Sequence, residues 1–323
     1  MTALSLSILT PTYNRAHTLP RVWESLKRQK IGSFEWVVID DGSEDGTRAL
    51  VERWAKEASF PVRYFHKENG GKHSAVNYGK RLLASDYTII FDSDDAFLDG
   101  AVETIEHYVS STGVGNLAGV AGLAFMCTDD EGRPRYPELP SETLQCSMSE
   151  AKYRYKLRGE WAVLYKTDIL KATDFPELPD GEYVPESVTY AKLSKKYEVI
   201  WVNRAIRRYF TNDGEERITD RRGKSEGTFK WPRGKYLRRL SIFNDEIRWF
   251  KEDPASSFHN AANLSRFGFH IGRSPRQQLA DLSNLPAKLL WAIGLLPGVY
   301  RYLRDKRRQT SAKLSDACLE RGD

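Results

Sequence analysis

Cysteine is scarce in this chain. Cys127, Cys146 and Cys318 are the only three in 323 residues. They are scattered and odd in number, and their spacing matches neither a metal-ligand set nor a disulfide framework. A reducing compartment is the simpler reading. Long apolar runs are also missing: none reaches the ~20 residues a spanning helix needs. The residues after Met1 show no positive lead and no long apolar stretch of a secretion signal. The expected location is therefore cytoplasmic, at most peripheral on the inner face of a membrane. There is no internal repeat and no low-complexity tract.

What is present suits a folded protein with a buried core and a soluble surface. Apolar residues make up 40% and charged residues 29%, enough for one large α/β domain with an appendage or for two modest domains. The net charge of +5 hides an asymmetry. From Arg204 onward there are 25 Lys and Arg against 14 Asp and Glu; the residues before it carry 24 against 30. An acidic front half suits a site that holds a metal cation. A basic tail suits an anionic partner such as a membrane surface, a nucleic acid or a phosphorylated acceptor.

Strand and helix patterns alternate over the first hundred residues. Apolar strands are predicted at Leu4–Thr10, Phe34–Ile39, Val62–Phe65 and Tyr87–Phe91. Between and after them, Leu19, Val22, Trp23 and Leu26, then Leu50, Val51, Trp54 and Ala58, then Ala75, Val76, Leu82 and Leu83, then Val102, Ile105 and Val109 recur at helical spacing. Ser43 is the predicted N-cap of the second helix. Such alternation implies an α/β fold with a mainly parallel sheet flanked by helices. Beyond Gly119 the pattern loosens: a strand over Val120–Cys127, a loop over Pro134–Pro140, a helix over Glu186–Lys196 and a closing strand over Tyr197–Val202. The basic remainder is expected to be mostly helical, broken near Pro232, Pro254, Pro286 and Pro297. The expected division is a catalytic domain over residues 1–205 and a basic helical region over 206–323.

In open sheets of this kind, ligands gather at the carboxyl ends of the strands. Four polar clusters follow the four strands: Thr10-Pro11-Thr12-Tyr13-Asn14-Arg15, Asp40-Asp41-Gly42-Ser43, Asn69-Gly70-Gly71-Lys72-His73 and Asp92-Ser93-Asp94-Asp95. In extended backbone Asp92 and Asp94 share a side, while Asp95 looks elsewhere or bends inward. Paired hard carboxylates suit Mg²⁺ or Mn²⁺; an acidic turn with capping aspartates is the plainer alternative. A carboxylate at Asp41 could accept from a base N–H or a ribose hydroxyl. The glycine segment leads into a helix N-terminus, where amides and dipole favour an anion and Lys72 adds a point charge. It is neither a Walker loop nor a G-x-G-x-x-G pattern.

In order, strand context and interval, these four sets, the third extended through Asn77, resemble the family 2 glycosyltransferases, which have the GT-A fold. The resemblance is strong over about residues 4–110 and weaker to about residue 205. It implies an inverting enzyme that uses a nucleotide-diphosphate sugar, often UDP-linked, with a divalent ion, Mn²⁺ or Mg²⁺. The family's Asp-x-Asp motif falls on Asp92-Ser93-Asp94. By the resemblance Asp92 meets the ribose and Asp94 the metal, with Asp95 as rival. Pro11 and Tyr13 line the base pocket, Asp41 reads the base and Lys72 meets the diphosphate. Arg15, Asn77 and Ser93 belong to the same donor site. The family places a carboxylate base at the start of a helix after the sheet, usually in a Glu-Asp pair. That pair is absent here, since Pro185 takes the place of its first acid. Glu186 aligns with the second, and Glu182 and Asp180 are the alternatives.

Several segments stay open between two readings. Arg158-Gly159-Glu160-Trp161 lies where the family meets its acceptor, and Trp161 suits either a sugar face or the core. Arg207, Arg208, Tyr209 and Asn212-Asp213-Gly214 suit either a loop over the diphosphate or a solvated face. Residues 285–308 combine an apolar stretch with a polybasic run. This suits a segment lying in the membrane interface, and a packing helix or an oligomer contact competes with it. Nucleic acid is not expected as a partner, because no binding module accompanies the charge. The expected partners are a nucleotide-diphosphate sugar and a glycan or lipid-linked acceptor in cell-surface glycan synthesis. A sugar-1-phosphate nucleotidyltransferase and a non-catalytic nucleotide-sugar-binding module are the alternatives. The first fits poorly, since Thr10–Arg15 is not a glycine- and Lys/Arg-rich loop.

Overall fold

A computed structural model describes residues 4–30, 34–135, 138–157, 159–179, 181–210 and 230–319, with the backbone alone over 311–319. Arg158, Asp180, Asn212-Asp213-Gly214 and the side chain of Cys318 lie outside the described residues. The chain divides into two compact units, Met1–Tyr183 with Leu193–Arg221 and Val184–Lys192 with Arg222–Asp323.

The first unit is built on β1 (Leu6–Thr12), β2 (Phe34–Asp40), β3 (Val62–His66) and β4 (Tyr87–Ile90). They pair in parallel in the spatial order β3-β2-β1-β4. Helices α1 (Leu19–Lys27), α2 (Thr47–Glu57) and α3 (Lys72–Lys80) make the crossovers that parallel strands require, and α4 (Ala101–Thr112) follows. All seven residues of β1 are buried, as in a strand covered on both faces. The buried stripe of α1 is Leu19, Val22, Trp23 and Leu26, as its spacing predicts. Trp23, Trp36 and Trp54 meet with ring centroids 5.4 to 6.3 Å apart and anchor the core between α1, α2 and the sheet. Ser43 does not cap α2. That helix begins at Thr47 behind Gly46, and the Ser43 hydroxyl accepts the Asn14 amide instead.

The rest of the sheet departs from simple alternation. It comprises β5 (Ala96–Phe97), β6 (Val120–Thr128), β7 (Thr143–Cys146), β8 (Ala162–Lys166) and β9 (Glu198–Arg208), with the short helices α5 (Met148–Tyr153) and α6 (Thr167–Lys171). β8 inserts antiparallel between β4 and β6, β9 runs parallel to β6, and β5 and β7 pair antiparallel with β9. The sheet thus has nine strands among the described residues. The strand expected to close at Val202 continues to Arg208. Its last two residues gain partners, since β5 places Phe97 opposite Arg207 and Ala96 opposite Arg208.

The second unit is helical: α7 (Ser187–Leu193), α8 (Pro232–Asp245), α9 (Pro254–His270), α10 (Pro275–Ala280) and α11 (Leu285–Leu319). Pro232 and Pro254 open helices, and Pro286 is the second residue of α11, positions where a missing N–H costs nothing. Pro297, expected as a break, lies inside α11. Tyr236, Phe243, Leu264, Phe267 and Trp291 form the core of this unit. No described helix is long and apolar enough to cross a membrane.

Candidate active site

The loops after β1 and β2 are stitched together. Asn14, held at φ 51°, donates its amide to Ser43 Oγ at 2.8 Å and accepts the Glu44 amide on Oδ1 at 2.9 Å. The Arg15 amide reaches Thr47 Oγ1 at 3.3 Å. Pro11 and Thr12 are buried, whereas Tyr13 stands exposed beside them. A rigid rim with one outward aromatic ring results.

Asp40 ends β2, Asp41 follows it, and both are buried. Asp40 accepts the Ser43 amide at 2.8 Å and the Tyr64 hydroxyl at 2.5 Å. Burial, and then the hydrogen bond to Asp40 and its charge, raise the Tyr64 phenol above its ordinary value. Asp41 Oδ1 takes Lys67 Nζ at 2.6 Å and the Gly70 amide at 3.1 Å, and Oδ2 takes the Gly71 amide at 2.6 Å. The amides read in sequence as a cradle for a bound anion therefore hold one of the protein's own carboxylates. Gly42 is required at this corner: its φ is +88°, and a Cβ there would lie 3.0 Å from the Asn69 amide nitrogen.

Gly71 caps α3, and Lys72 is its first residue. Lys72 Nζ reaches across to Asp92 Oδ1 at 2.6 Å. The inward face of α3 grips the segment 173–177. His73 Nδ1 lies 2.9 Å from the Pro176 carbonyl; since a carbonyl only accepts, Nδ1 carries the proton. One turn on, Asn77 Nδ2 donates to the Phe175 carbonyl and to Glu177 Oε1, both at 2.7 Å, and Asn77 Oδ1 accepts the Phe175 amide at 3.2 Å. Lys80 extends the clamp to the Thr173 carbonyl. Asn77 was expected among the donor ligands, and its amide is engaged in this clamp.

The acidic cluster follows β4. Asp92 and Asp94 are half-buried, Ser93 is buried, and Asp95 is fully buried. Arg21 Nη1 donates to the Asp94 carbonyl at 3.4 Å. Asp95 bends inward, one of the two orientations read in sequence, and its Oδ2 lies 3.2 Å from Arg207 Nε. The guanidinium of Arg207 also lies 3.8 Å from Asp92 and 3.7 Å from Glu160. Arg207 is only 4% exposed, so neither sequence reading of it, diphosphate loop or solvated face, is what the fold builds. Its burial opposes the charge, but Cys127, Asp95, Asp92 and Glu160 outweigh that and hold it well above its usual range. The neighbouring Cys127 thiol is pushed up to about 11, chiefly by burial. The signal that could have found Arg207 was the apolar Ala205-Ile206 pair, which carries the strand past Val202 to Arg207.

Trp161 is half-buried and packs edge-to-face on Trp201, centroids 4.8 Å apart. In the second unit, Glu186 precedes α7 and its Oε2 accepts the Tyr190 hydroxyl at 2.8 Å. A cavity of about 760 Å³ lies at the other end of the sheet, with Leu4, Ser5 and Tyr87 in its lining. It is remote in topology from the acidic rim and is not part of this site.

Residues 7–164, just under half of the chain, match the family described as Glycosyl transferase family 2; the sheet with its flanking helices is similar to that of GT-A glycosyltransferases, and the matches support a transferase enzyme. It is similar to the GalNAc(5)-diNAcBac-PP-undecaprenol beta-1,3-glucosyltransferase of Campylobacter jejuni, 24% identical over 307 residues, 90% of this chain and 94% of that protein. An uncharacterized glycosyltransferase of Mycoplasma pneumoniae is 32% identical over 110 residues, 33% of this chain and 37% of that protein. Among solved structures, S. aureus TarS 1-349 in complex with UDP-GlcNAc is similar with a TM-score of 0.63 and 17% identity, covering 96% of this chain and 92% of that one. A mannosyltransferase from Pyrobaculum calidifontis in complex with GDP-Man and Mn²⁺ is similar with a TM-score of 0.51 and 17% identity, covering 94% of this chain and 89% of that one.

Proposed function

We propose that this chain is an inverting transferase that moves a sugar from a UDP-linked donor to a lipid-linked carbohydrate in cell-surface glycan synthesis. One observation carries the reading. Gly71 bonds to Asp41 at the end of β2, while the adjacent Lys72 pairs with Asp92 at the end of β4. A carboxylate fit to read a base, a cation fit to meet a diphosphate and the Asp92–Asp94 motif therefore share one rim. The donor class is supported by the UDP-GlcNAc complex of TarS, and the acceptor class by the undecaprenol-linked name of the Campylobacter relative.

In this reading the base lies against Pro11 and the exposed ring of Tyr13, with Asp41 toward its polar edge. Asp92 takes the ribose, and Arg15 and Ser93 complete the donor site. Lys72 shifts part of its charge from Asp92 to the diphosphate. Asn77 acts through the clamp it makes on Phe175 and Glu177. Asp94, with Asp95 as rival, would hold Mn²⁺ or Mg²⁺. The residue types suit such an ion: Asp92 and Asp94 offer hard carboxylate oxygens after β4. Ions of this kind take one or two carboxylates and complete their shell with phosphate oxygens and water. When bound, the ion stabilises charge on the leaving diphosphate as a Lewis acid.

Glu186 is the base, with Glu182 and Asp180 as alternatives. It takes the acceptor hydroxyl proton as the new C–O bond forms and the anomeric carbon–phosphate oxygen bond breaks. The hydroxyl of Tyr190 holds its carboxylate in one orientation. The test is a panel of nucleotide sugars assayed with Mn²⁺ for nucleoside diphosphate release, followed by NMR of the product anomer. UDP release that disappears in Asp94→Ala, with inverted product, is expected. Pyrophosphate release from a nucleoside triphosphate and a sugar phosphate, or no binding of any nucleotide, would sink the reading.

A further inference from the structure

We propose that the outward face of α11 is a docking surface for an anionic phospholipid bilayer, on which the helix lies flat. The inference concerns the second unit alone and stands whether or not the donor and acceptor assignments hold.

The two sides of α11 are chemically distinct. Ala287, Trp291, Gly294, Gly298 and Asp305 are buried and recur at spacings of three, four and seven, which places them on one face. Two glycines let this face approach α9 closely: a Cβ at Gly294 would lie 2.5 Å from the Ala261 carbonyl carbon, and one at Gly298 would lie 2.5 Å from Ser265 Cβ. The inward side is thus committed to α9. On the opposite side stand Leu285, Leu289, Ile293, Leu296, Tyr300 and Leu303, each between 50% and 77% exposed. Their spacings of four, four, three, four and three make one continuous stripe, about 27 Å long at the helical rise. Single exposed apolar residues are ordinary on a protein surface, but six aligned on one helix form a patch that marks an interaction surface.

Charge identifies the occupant. Between Leu285 and Arg304 the sequence holds Lys288, Arg301 and Arg304 and no acid. Arg304, Lys306, Arg307 and Arg308 are all exposed beyond the stripe. The one acid of this stretch, Asp305, is buried and paired with Arg266 and His270. A second copy of this chain would bring the same cations, whereas an anionic headgroup layer complements them. A flat pose rather than a spanning one follows from length and polarity: no described helix, α11 included, is long and apolar enough to cross a membrane.

The experiment is co-sedimentation of the full chain with phosphatidylcholine vesicles, with and without phosphatidylglycerol. Binding to the anionic vesicles is expected, with a loss of about tenfold or more in the double variant Ile293→Asp/Leu296→Asp. Both positions face solvent, so helix content by circular dichroism is expected to stay at the wild-type level. A second variant, Arg304→Glu/Arg308→Glu, is expected to lose the preference for anionic over neutral vesicles and keep the apolar contribution. Donor hydrolysis by both variants is expected at the wild-type rate, so loss of vesicle binding and loss of transferase chemistry read out separately. Wild-type protein that ignores anionic vesicles would overturn the proposal, as would a stripe variant that binds like wild type. A concentration-dependent dimer that the stripe variant dissociates would assign the face to a second copy instead.

Discussion

The corners that end β2 and β4 start from the same sequence pattern, acids directly after a buried strand, and are finished in opposite ways. At the β2 corner, Asp40 and Asp41 are tied down by short bonds from Ser43, Tyr64, Lys67, Gly70 and Gly71, most of them between 2.5 and 2.8 Å. At the β4 corner, one buried guanidinium is spread over Asp95, Asp92 and Glu160 at 3.2 to 3.8 Å, and a half-buried lysine, Lys72, reaches Asp92 at 2.6 Å. The first corner is a scaffold that fixes a carboxylate and a loop. The second keeps two half-buried carboxylates, Asp92 and Asp94, beside the fully buried Asp95. Acid count alone does not tell how each carboxylate is held; the elements that supply its partners do.

The comparison breaks most visibly at Asp94. Asp94→Ala is expected to lower turnover by on the order of a thousandfold, as loss of a group that stabilises transition-state charge does, with the thermal midpoint nearly unchanged. A steady-state assay beside a melting curve checks both halves, and a stability loss that matches the activity loss would make Asp94 structural. Arg207→Met is expected to show the reverse balance within the same corner. It leaves Asp95 buried without its cation, a loss of about 3–5 kcal/mol for breaking a buried pair from one side, read as a lower urea midpoint. Arg207→Lys recovers part of that, and an unchanged midpoint would show that Asp95 is not held by Arg207.

The β2 corner gives smaller and mainly structural effects. Asp41→Ala strands Lys67 and two amides, an expected cost of about 2–3 kcal/mol, together with weaker donor binding in a titration with UDP. Full stability with lost binding would mean that Asp41 serves the ligand and not the loop. Gly42→Ala forces a side chain into positive φ against the Asn69 backbone, worth about 1–2 kcal/mol. An equal or higher midpoint in that variant would show that the loop yields.

Much of the first unit was legible because its signals are local. Leu19, Val22, Trp23 and Leu26 declare their buried stripe by spacing alone, and four strands followed by four polar clusters mark the rim of the proposed site. What was not legible depends on partners distant in sequence. β5 is two residues long and exists because β9 lies beside it. Arg207 looks like tail until that pairing carries it behind Asp95. The loop contacts of Asp41 stayed hidden because nothing in Asp40-Asp41-Gly42-Ser43 announces Lys67 or the two glycine amides. Tertiary hydrogen bonds, not propensity, decided each of these. Conversely, the stripe on α11 was visible as an apolar and basic segment, but which face points outward became definite only with Gly294 and Gly298 against α9.

The finest difference between the corners lies in pH. Burial and Asp40 raise the Tyr64 phenol in the folded chain, while in the unfolded chain it titrates near its ordinary value of about 10. The folded state therefore keeps a proton that the unfolded state has released. Stability from this group is complete below about pH 10 and is lost as pH rises from there toward the higher folded value. The phenolate that forms would also face the Asp40 carboxylate across the hydrogen bond it has just lost. Tyr87, Tyr108 and Tyr236 are raised too, so the informative quantity is the difference between wild type and Tyr64→Phe. Urea midpoints measured from pH 8 to 11 are expected to fall more steeply for wild type above pH 10, with the two curves converging as pH rises. Parallel curves would mean that the bond between Tyr64 and Asp40 does not secure the β2 corner.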